Sequence, residues 1–244
     1  MTKTPWYARW FGEEYLKVYP HRDQREARRA VQMVLAHTGA AEGGRVLDLA
    51  CGTGRHLNEL LACGLEAVGL DLSLPLLQRA NPAGLSVVRG DMRDLPFSGG
   101  SFALVTSFFT SFGYFADPAD DLRVLVEVRR VLRDDGAFAL DFLNAARVRA
   151  ELRPSDEHEI RGVRVVQFRS LVEGGRYVEK RIEIHDPADQ LPRTFFERVR
   201  LYAPAELQRL LEERGLHTTH SFGDYEGAPL APGSARVILI GRCA

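Results

Sequence analysis

The run Arg45-Val46-Leu47-Asp48-Leu49, followed at once by Ala50-Cys51-Gly52-Thr53-Gly54, constrains this chain more than any other stretch. A short apolar run ending in a glycine turn reads as a strand buried on both faces, hence one inside a parallel sheet. The two glycines open a helical segment over residues 56–63, stopped by Gly64. Parallel neighbours need crossovers of about a dozen residues or more, so the rest of the chain must alternate strands and helices. Residues 66–71 form a second strand and 73–80 a helix, with Ser73 as N-cap and Pro75 in its first turn. Residues 85–89 and 102–106 are the third and fourth strands. A long helix over 117–132, closed by Asp134-Asp135-Gly136, precedes a fifth strand over 137–142. Such an order predicts a parallel, doubly wound α/β sheet.

Two segments depart from that rhythm. Ahead of the first strand, Trp10, Phe11, Tyr15, Val18 and Tyr19 recur at near-helical spacing, and residues 24–36 place Ala27, Ala30, Val31, Val34 and Leu35 on one helix face. Beyond the fifth strand, residues 161–171, 176–185 and 194–202 alternate with period two, with a hairpin signal at Glu173-Gly174-Gly175. In the middle run Val178, Ile182 and Ile184 fall on one side, opposite Tyr177, Glu179, Arg181 and Glu183. These runs predict a small, half-solvated antiparallel sheet. A helix over 204–214 and strands over 217–225 and 236–241 complete the chain.

Composition excludes several function classes. The formal net charge is −1, which offers no basic field for a long polyanion, so no nucleic-acid partner is expected. Cys51, Cys63 and Cys243 form no CxxC pair and no disulfide framework. With no signal-peptide core at the N-terminus and no membrane-length apolar run, the chain is expected to be cytoplasmic, with no membrane partner. His158, His185, His217 and His220 are dispersed, and no metal site is expected.

Candidate chemistry follows the strand ends. Gly52 and Gly54 let backbone approach a flat ligand. A GxG turn alone also fits a dinucleotide, but Leu57 stands where GxGxxG requires its third glycine, and Asp48 sits just before the turn. A carboxylate there repels pyrophosphate and favours the ammonium and sulfonium charges of S-adenosylmethionine. Asp71, about 20 residues on, is placed to accept ribose hydroxyls. Asp91 follows the third strand, where it can accept an adenine amino group while Met92 packs on the ring.

In this order the motifs resemble those of class I S-adenosylmethionine-dependent methyltransferases across roughly residues 40–145. Asp48, Gly52 and Gly54 match the first motif, Asp71 the second, Asp91-Met92 the third, and 105–109 the fourth-strand exit; 130–136 resembles the turn before the fifth strand, with Asp134-Asp135 in place of Pro-Gly. The resemblance implies a Rossmann-like seven-stranded sheet, mostly parallel with an antiparallel last strand, plus a small antiparallel sheet inserted after the fifth strand. It implies a single domain over 1–244, a helical lid over 1–40, and an insert over 158–202 that covers the acceptor side or mediates a homodimer. It adds Ala50, Cys51, Leu72 and Phe108 to the donor site. It also assigns Tyr15, Tyr19 and Arg22 to the methionine carboxylate, although aromatic packing and a solvated charge cluster explain those three equally well.

The expected reaction transfers a methyl group to nitrogen or oxygen of a small-molecule acceptor, as in the bacterial small-molecule enzymes that residues 109–115 resemble. Tyr15, Tyr114 and Asp141 are the candidate catalytic residues, with Asn144 beside them, for an acceptor that must shed a proton. Orientation alone is the other route. Two different classes stay open: a non-catalytic binder of S-adenosylmethionine or S-adenosylhomocysteine, and an NAD-dependent oxidoreductase.

Overall fold

The computed structural model describes residues 4–19, 24–40, 44–80 and 84–244. Its larger sheet contains β1 (Arg45–Leu49), β2 (Glu66–Asp71), β3 (Val87–Arg89), β4 (Phe102–Ser107), β5 (Leu132–Leu143), β10 (Leu216–Phe222) and β11 (Arg236–Cys243). The smaller sheet contains β6 (Ser155–Ile160), β7 (Val163–Val172), β8 (Tyr177–His185) and β9 (Arg193–Arg200). The helices are α1 (Trp6–Trp10), α2 (Glu13–Val18), α3 (Gln24–Thr38), α4 (Arg55–Ala62), α5 (Leu74–Ala80), α6 (Pro118–Val131), α7 (Ala145–Glu151) and α8 (Pro204–Glu212). Among the described residues no helix is long and apolar enough to cross a membrane.

The larger sheet runs β10-β11-β5-β4-β1-β2-β3. Its last strand, β11, is antiparallel to both neighbours, and the other pairings are parallel. The chain winds outward from β1 to β3 and then returns to place β4 on the other side of β1. That reversal opens a crevice at the carboxyl ends of β1 and β4, where α/β sheets bind ligands. Period-two alternation builds a core on each face. Leu47, Val105, Phe138 and Phe142 face α6 and α8. Val46, Leu104, Ala137 and Ile238 face α3 and α4, where Ala30, Val31, Val34, Leu57 and Leu60 meet them.

The smaller sheet runs β6-β7-β8-β9 and is antiparallel throughout. Ile182 and Ile184 of β8, with Val165 of β7, pack against Trp10 and Val18 of the N-terminal helices. This is the apolar parity read from the sequence. A fourth strand, β6, was not expected: its Ser-Asp-Glu-His-Glu-Ile has no apolar alternation, and it moves the start of the insert from 158 to 155.

Three local differences have physical causes. The first helical segment breaks into α1 and α2 at extended Gly12. Residues 134–136 do not form a free turn; they lie inside β5, where the register against β4 slips between the Phe102 and Leu104 pairings. A Cβ at Gly136 would lie 2.8 Å from the Arg133 carbonyl oxygen, so only glycine fits this bend. Helix α7 was not expected; Asn144 caps it by accepting from the Ala146 amide at 3.1 Å.

Candidate active site

A cleft of about 1230 Å³ lies at the carboxyl ends of β1, β2 and β4. The turn after β1 forms one wall. Ala50 (φ 54°), Gly52 (φ 56°) and Gly54 (φ 81°) are all left-handed there, and the Cys51 amide donates to the Leu70 carbonyl at 3.1 Å. The two glycines do different work. A Cβ on Gly52 would meet nothing closer than Leu76 at 3.9 Å, so its backbone faces open cleft. A Cβ on Gly54 would lie 2.3 Å from Leu85 Cδ1. Gly54 lies off the cleft wall, and close packing, not ligand approach, requires it to be glycine. Ala50 and Cys51 line the cleft, and Cys51 also fills the space that a Cβ on Gly69 would occupy.

Asp71 sits on the cleft wall and is largely buried, accepting the Gly52 amide at 2.9 Å and the Ser73 amide at 2.7 Å. Burial raises its pKa above the usual carboxylate value. Two carboxylate oxygens offer about four acceptor sites, so capacity remains toward the cleft. Asp48 lies one layer behind, 1% exposed. Its Oδ1 accepts from Thr106 Oγ1 at 3.1 Å, while Oδ2 has no partner among the described residues. Burial pushes its pKa up to about 7. Asp91 and Met92 line the adjoining wall with Leu72. Arg93 Nη2 donates to Asp91 Oδ2 at 2.6 Å and holds that carboxyl below its usual pKa. Phe108, at the β4 exit, stacks on His56 with centroids 4.2 Å apart.

The opposite wall is aromatic. Phe11 stacks on Tyr114 at 5.7 Å, Trp6 meets Tyr114 edge-on at 5.0 Å, and Tyr15 meets Phe11 edge-on at 5.0 Å. Ser73 Oγ donates to the Phe11 carbonyl at 2.5 Å, tying this wall to the turn that carries Asp71. Tyr15 and Tyr114 thus both line the cleft.

Asp141 does not join them. It is 1% exposed, off the cleft, and its carboxylate accepts the Phe109 amide at 2.8 Å, the Tyr225 hydroxyl at 2.5 Å and the Arg236 guanidinium. The Arg236 guanidinium also lies 4.8 Å from the Phe109 ring centroid. Phe109 and Thr110 both have φ 62°, a strained region for residues with side chains. Asp141 therefore anchors the turn after β4 and does not line the cleft. Asn144 does line the cleft, but its amide is engaged, donating to the carbonyls of Ala231, Pro232 and Ser234 at 3.0, 3.1 and 3.0 Å. Tyr19 lines the cleft, but its hydroxyl accepts from Lys180 Nζ at 2.9 Å and burial raises its pKa. Arg22 lies outside the described residues.

The far end of the cleft is built by residues the sequence reading did not single out. Asp156, Arg169, Lys180 and Glu197 reach it from all four strands of the smaller sheet. Lys180 Nζ lies 2.6 Å from Glu197, Arg169 Nη1 lies 2.8 Å from Asp156, and Trp10 Nε1 donates to Glu197 at 2.6 Å. The signal was available: Lys180 occupies the inward parity between Val178 and Ile182, where a charge is out of pattern.

Comparison with known proteins agrees with this arrangement. Residues 46–136 match the family model described as methyltransferase domain. A dTDP-3-amino-3,6-dideoxy-alpha-D-glucopyranose N,N-dimethyltransferase of Streptomyces fradiae is 38% identical over 99 residues, 39% of this chain and 37% of that protein. The methyltransferase CcbJ of Streptomyces caelestis superposes with a TM-score of 0.82 at 20% identity, covering 96% of this chain and 98% of the other. An S-adenosylmethionine-dependent methyltransferase of Clostridium acetobutylicum gives 0.80 at 18% identity, covering 95% and 96%. The chain spans about half the length of the curated relatives it matches. The chain therefore shares the fold of S-adenosylmethionine-dependent methyltransferases, and residues 46–136 carry the sequence pattern of a methyltransferase domain. Its residues fit that donor: an unpartnered buried carboxylate oxygen on Asp48 stands behind an open glycine backbone, and Asp71 retains acceptor capacity toward the cleft.

Proposed function

We propose that this chain transfers a methyl group from S-adenosylmethionine to a nitrogen or oxygen atom of a small-molecule acceptor. The observation that carries the reading is the continuity of the cleft, which runs from the Gly52–Asp71–Asp91 wall past the aromatic residues to the charged face of the smaller sheet. About 1230 Å³ exceeds the range of roughly 300–1,000 Å³ typical of single-ligand pockets, so donor and acceptor fit side by side. That space argues against a non-catalytic binder. Asp48 and the missing third glycine argue against a dinucleotide.

The bound donor supplies an activated methyl on a positively charged sulfur. The chain's own residues do the rest. Asp71 accepts the ribose hydroxyls, Asp91 accepts the adenine amino group, and Leu72, Met92 and Phe108 pack the adenosine. Asp48 balances the donor's positive charge through the glycine turn. The N-terminal helices act as a lid, with Trp6, Phe11, Tyr15 and Tyr114 excluding water so that the acceptor is held in line. Tyr15 and Tyr114 supply hydroxyls that orient the acceptor atom and take part in moving its proton. The name of the Streptomyces fradiae relative supports nitrogen as that atom.

Thermal unfolding tests the reading. A ligand near 100 times its dissociation constant stabilises a fold by roughly 2.7 kcal/mol, several degrees for a chain of this size. S-adenosylmethionine and S-adenosylhomocysteine should each raise the midpoint, and NAD should not. A rise with NAD alone, or with none of the three, would remove the proposal.

A further inference from the structure

The acceptor end of the cleft has a charge arrangement that the fold does not need. Arg169, Lys180 and Glu197 are direct register partners on consecutive strands, Arg169 opposite Lys180 and Lys180 opposite Glu197. All three line the cavity. Two cations directly opposite across an antiparallel pair destabilise a sheet, and these sit on the face that elsewhere carries Val165, Ile182 and Ile184 into the core. Asp156 and Glu197, which line the same cavity, pair with these two cations one for one, at 2.8 and 2.6 Å. Arg169 spends Nη2 on Gln167 at 2.6 Å and turns Nη1 to Asp156; the rest of its five-donor fork meets no acceptor among the described residues.

The surplus of positive charge comes from the cavity walls nearby. Arg153, on the loop between α7 and β6, and Arg9 of α1 both line the cavity, are exposed, and have no acidic partner among the described residues. Arg147 lines it too, 2.9 Å from Glu151. A positive chamber in a chain of net charge −1 marks a local purpose for the charge, because convergent cations in a low-dielectric cleft concentrate anions.

We propose that the acceptor carries an anionic group, a phosphate or a carboxylate, which seats on Arg169 and Lys180 and leaves its nucleophile turned toward Tyr114 and the donor wall. Arg153 and Arg9 guide the anion at the mouth. This inference rests on the methyl-transfer reading for the donor side, while the anion site itself stands on the inserted sheet.

The test is calorimetric titration of the full chain, with and without S-adenosylhomocysteine, using pyrophosphate in one arm and malonate in the other. Saturable binding of either probe is expected, and the tighter one tells phosphate from carboxylate. Arg169→Gln should weaken the preferred probe about tenfold, as for loss of a charge-assisted contact. Asp156→Asn, which frees the Arg169 guanidinium, should tighten it several-fold, an effect that misfolding cannot mimic. Absence of binding by both probes, or affinities that move with neither substitution, would overturn the proposal. Titration of S-adenosylhomocysteine alone is the separate readout for the donor site: failure there sinks the donor reading while the anion titration still reports on the chamber.

Discussion

Replacing Asp48 by asparagine should stabilise the ligand-free protein at alkaline pH and have a much smaller effect in acid. The carboxyl is 1% exposed, one oxygen has no partner, and burial lifts its folded-state pKa from an ordinary 3.8 to about 7. A folded pKa above the unfolded one means that the folded chain holds the proton more tightly. Stability from this group is therefore complete below about 3.8, falls as pH rises toward about 7, and is flat beyond. At about 1.4 kcal/mol per pH unit, the full cost of the ionised form is ~4 kcal/mol. Asparagine removes it, keeps an oxygen for the Thr106 hydroxyl, and adds an amide N–H pair whose burial costs about 1–3 kcal/mol. The net gain at pH 8 is about 1–3 kcal/mol, and the difference between variant and wild type should grow by about 2–3 kcal/mol between pH 5 and pH 8. Urea unfolding of both proteins at the two pH values measures this directly. A difference that stays constant within ~0.5 kcal/mol would refute the buried-charge argument. The same substitution should weaken S-adenosylmethionine binding roughly tenfold, because the charge facing the donor is gone.

Three other substitutions probe separate parts of the account. Asp71→Ala should cost about 1–3 kcal/mol of S-adenosylhomocysteine affinity in calorimetry; unchanged affinity removes its role at the ribose. Gly54→Ala should destabilise the fold by about 1–3 kcal/mol, since it combines φ 81° with a 2.3 Å approach to Leu85. Adding Leu85→Ala should not restore the wild-type midpoint, because the backbone strain persists. Asn144→Leu should lower the thermal midpoint by an amount equivalent to about 2–4 kcal/mol, leaving three loop carbonyls unpaired, with donor affinity unchanged. A loss of donor affinity without a loss of stability would make Asn144 a donor contact instead of a loop anchor.

The wall of the cleft built at the β1 and β2 ends was legible because its determinants are local. Asp48, Gly52 and Asp71 each stand at the end of a short apolar run, and a strand end in a doubly wound sheet is a functional address. Asp141 stands at such an end too, yet parity turns it away. Phe138, Leu140 and Phe142 face one core, which leaves Asp141 with Ala137 and Ala139 on the other side. Its partners there, Tyr225 and Arg236, lie 84 and 95 residues further on. Nothing in one dimension brings them together. The turn it supports was equally hidden, since Phe109 and Thr110 hold left-handed backbone without a glycine to announce it. The acceptor end failed for two reasons. Strand β6 has no apolar period, and Lys180 was legible only as an exception inside one. Gly54 is ambiguous in one dimension: the pattern points to a ligand, while the contact with Leu85 gives this glycine a packing reason that only the fold reveals.

The most direct measurement is a crystal structure of the protein grown with S-adenosylhomocysteine. The account predicts its ribose hydroxyls on Asp71, its adenine beside Asp91 and Met92, and its sulfur near Phe108, facing the chamber that holds Tyr114 and Lys180. Adenosine bound elsewhere, or density for the ligand only at the mouth of the cleft with Asp71 still paired solely to Gly52 and Ser73, would contradict it.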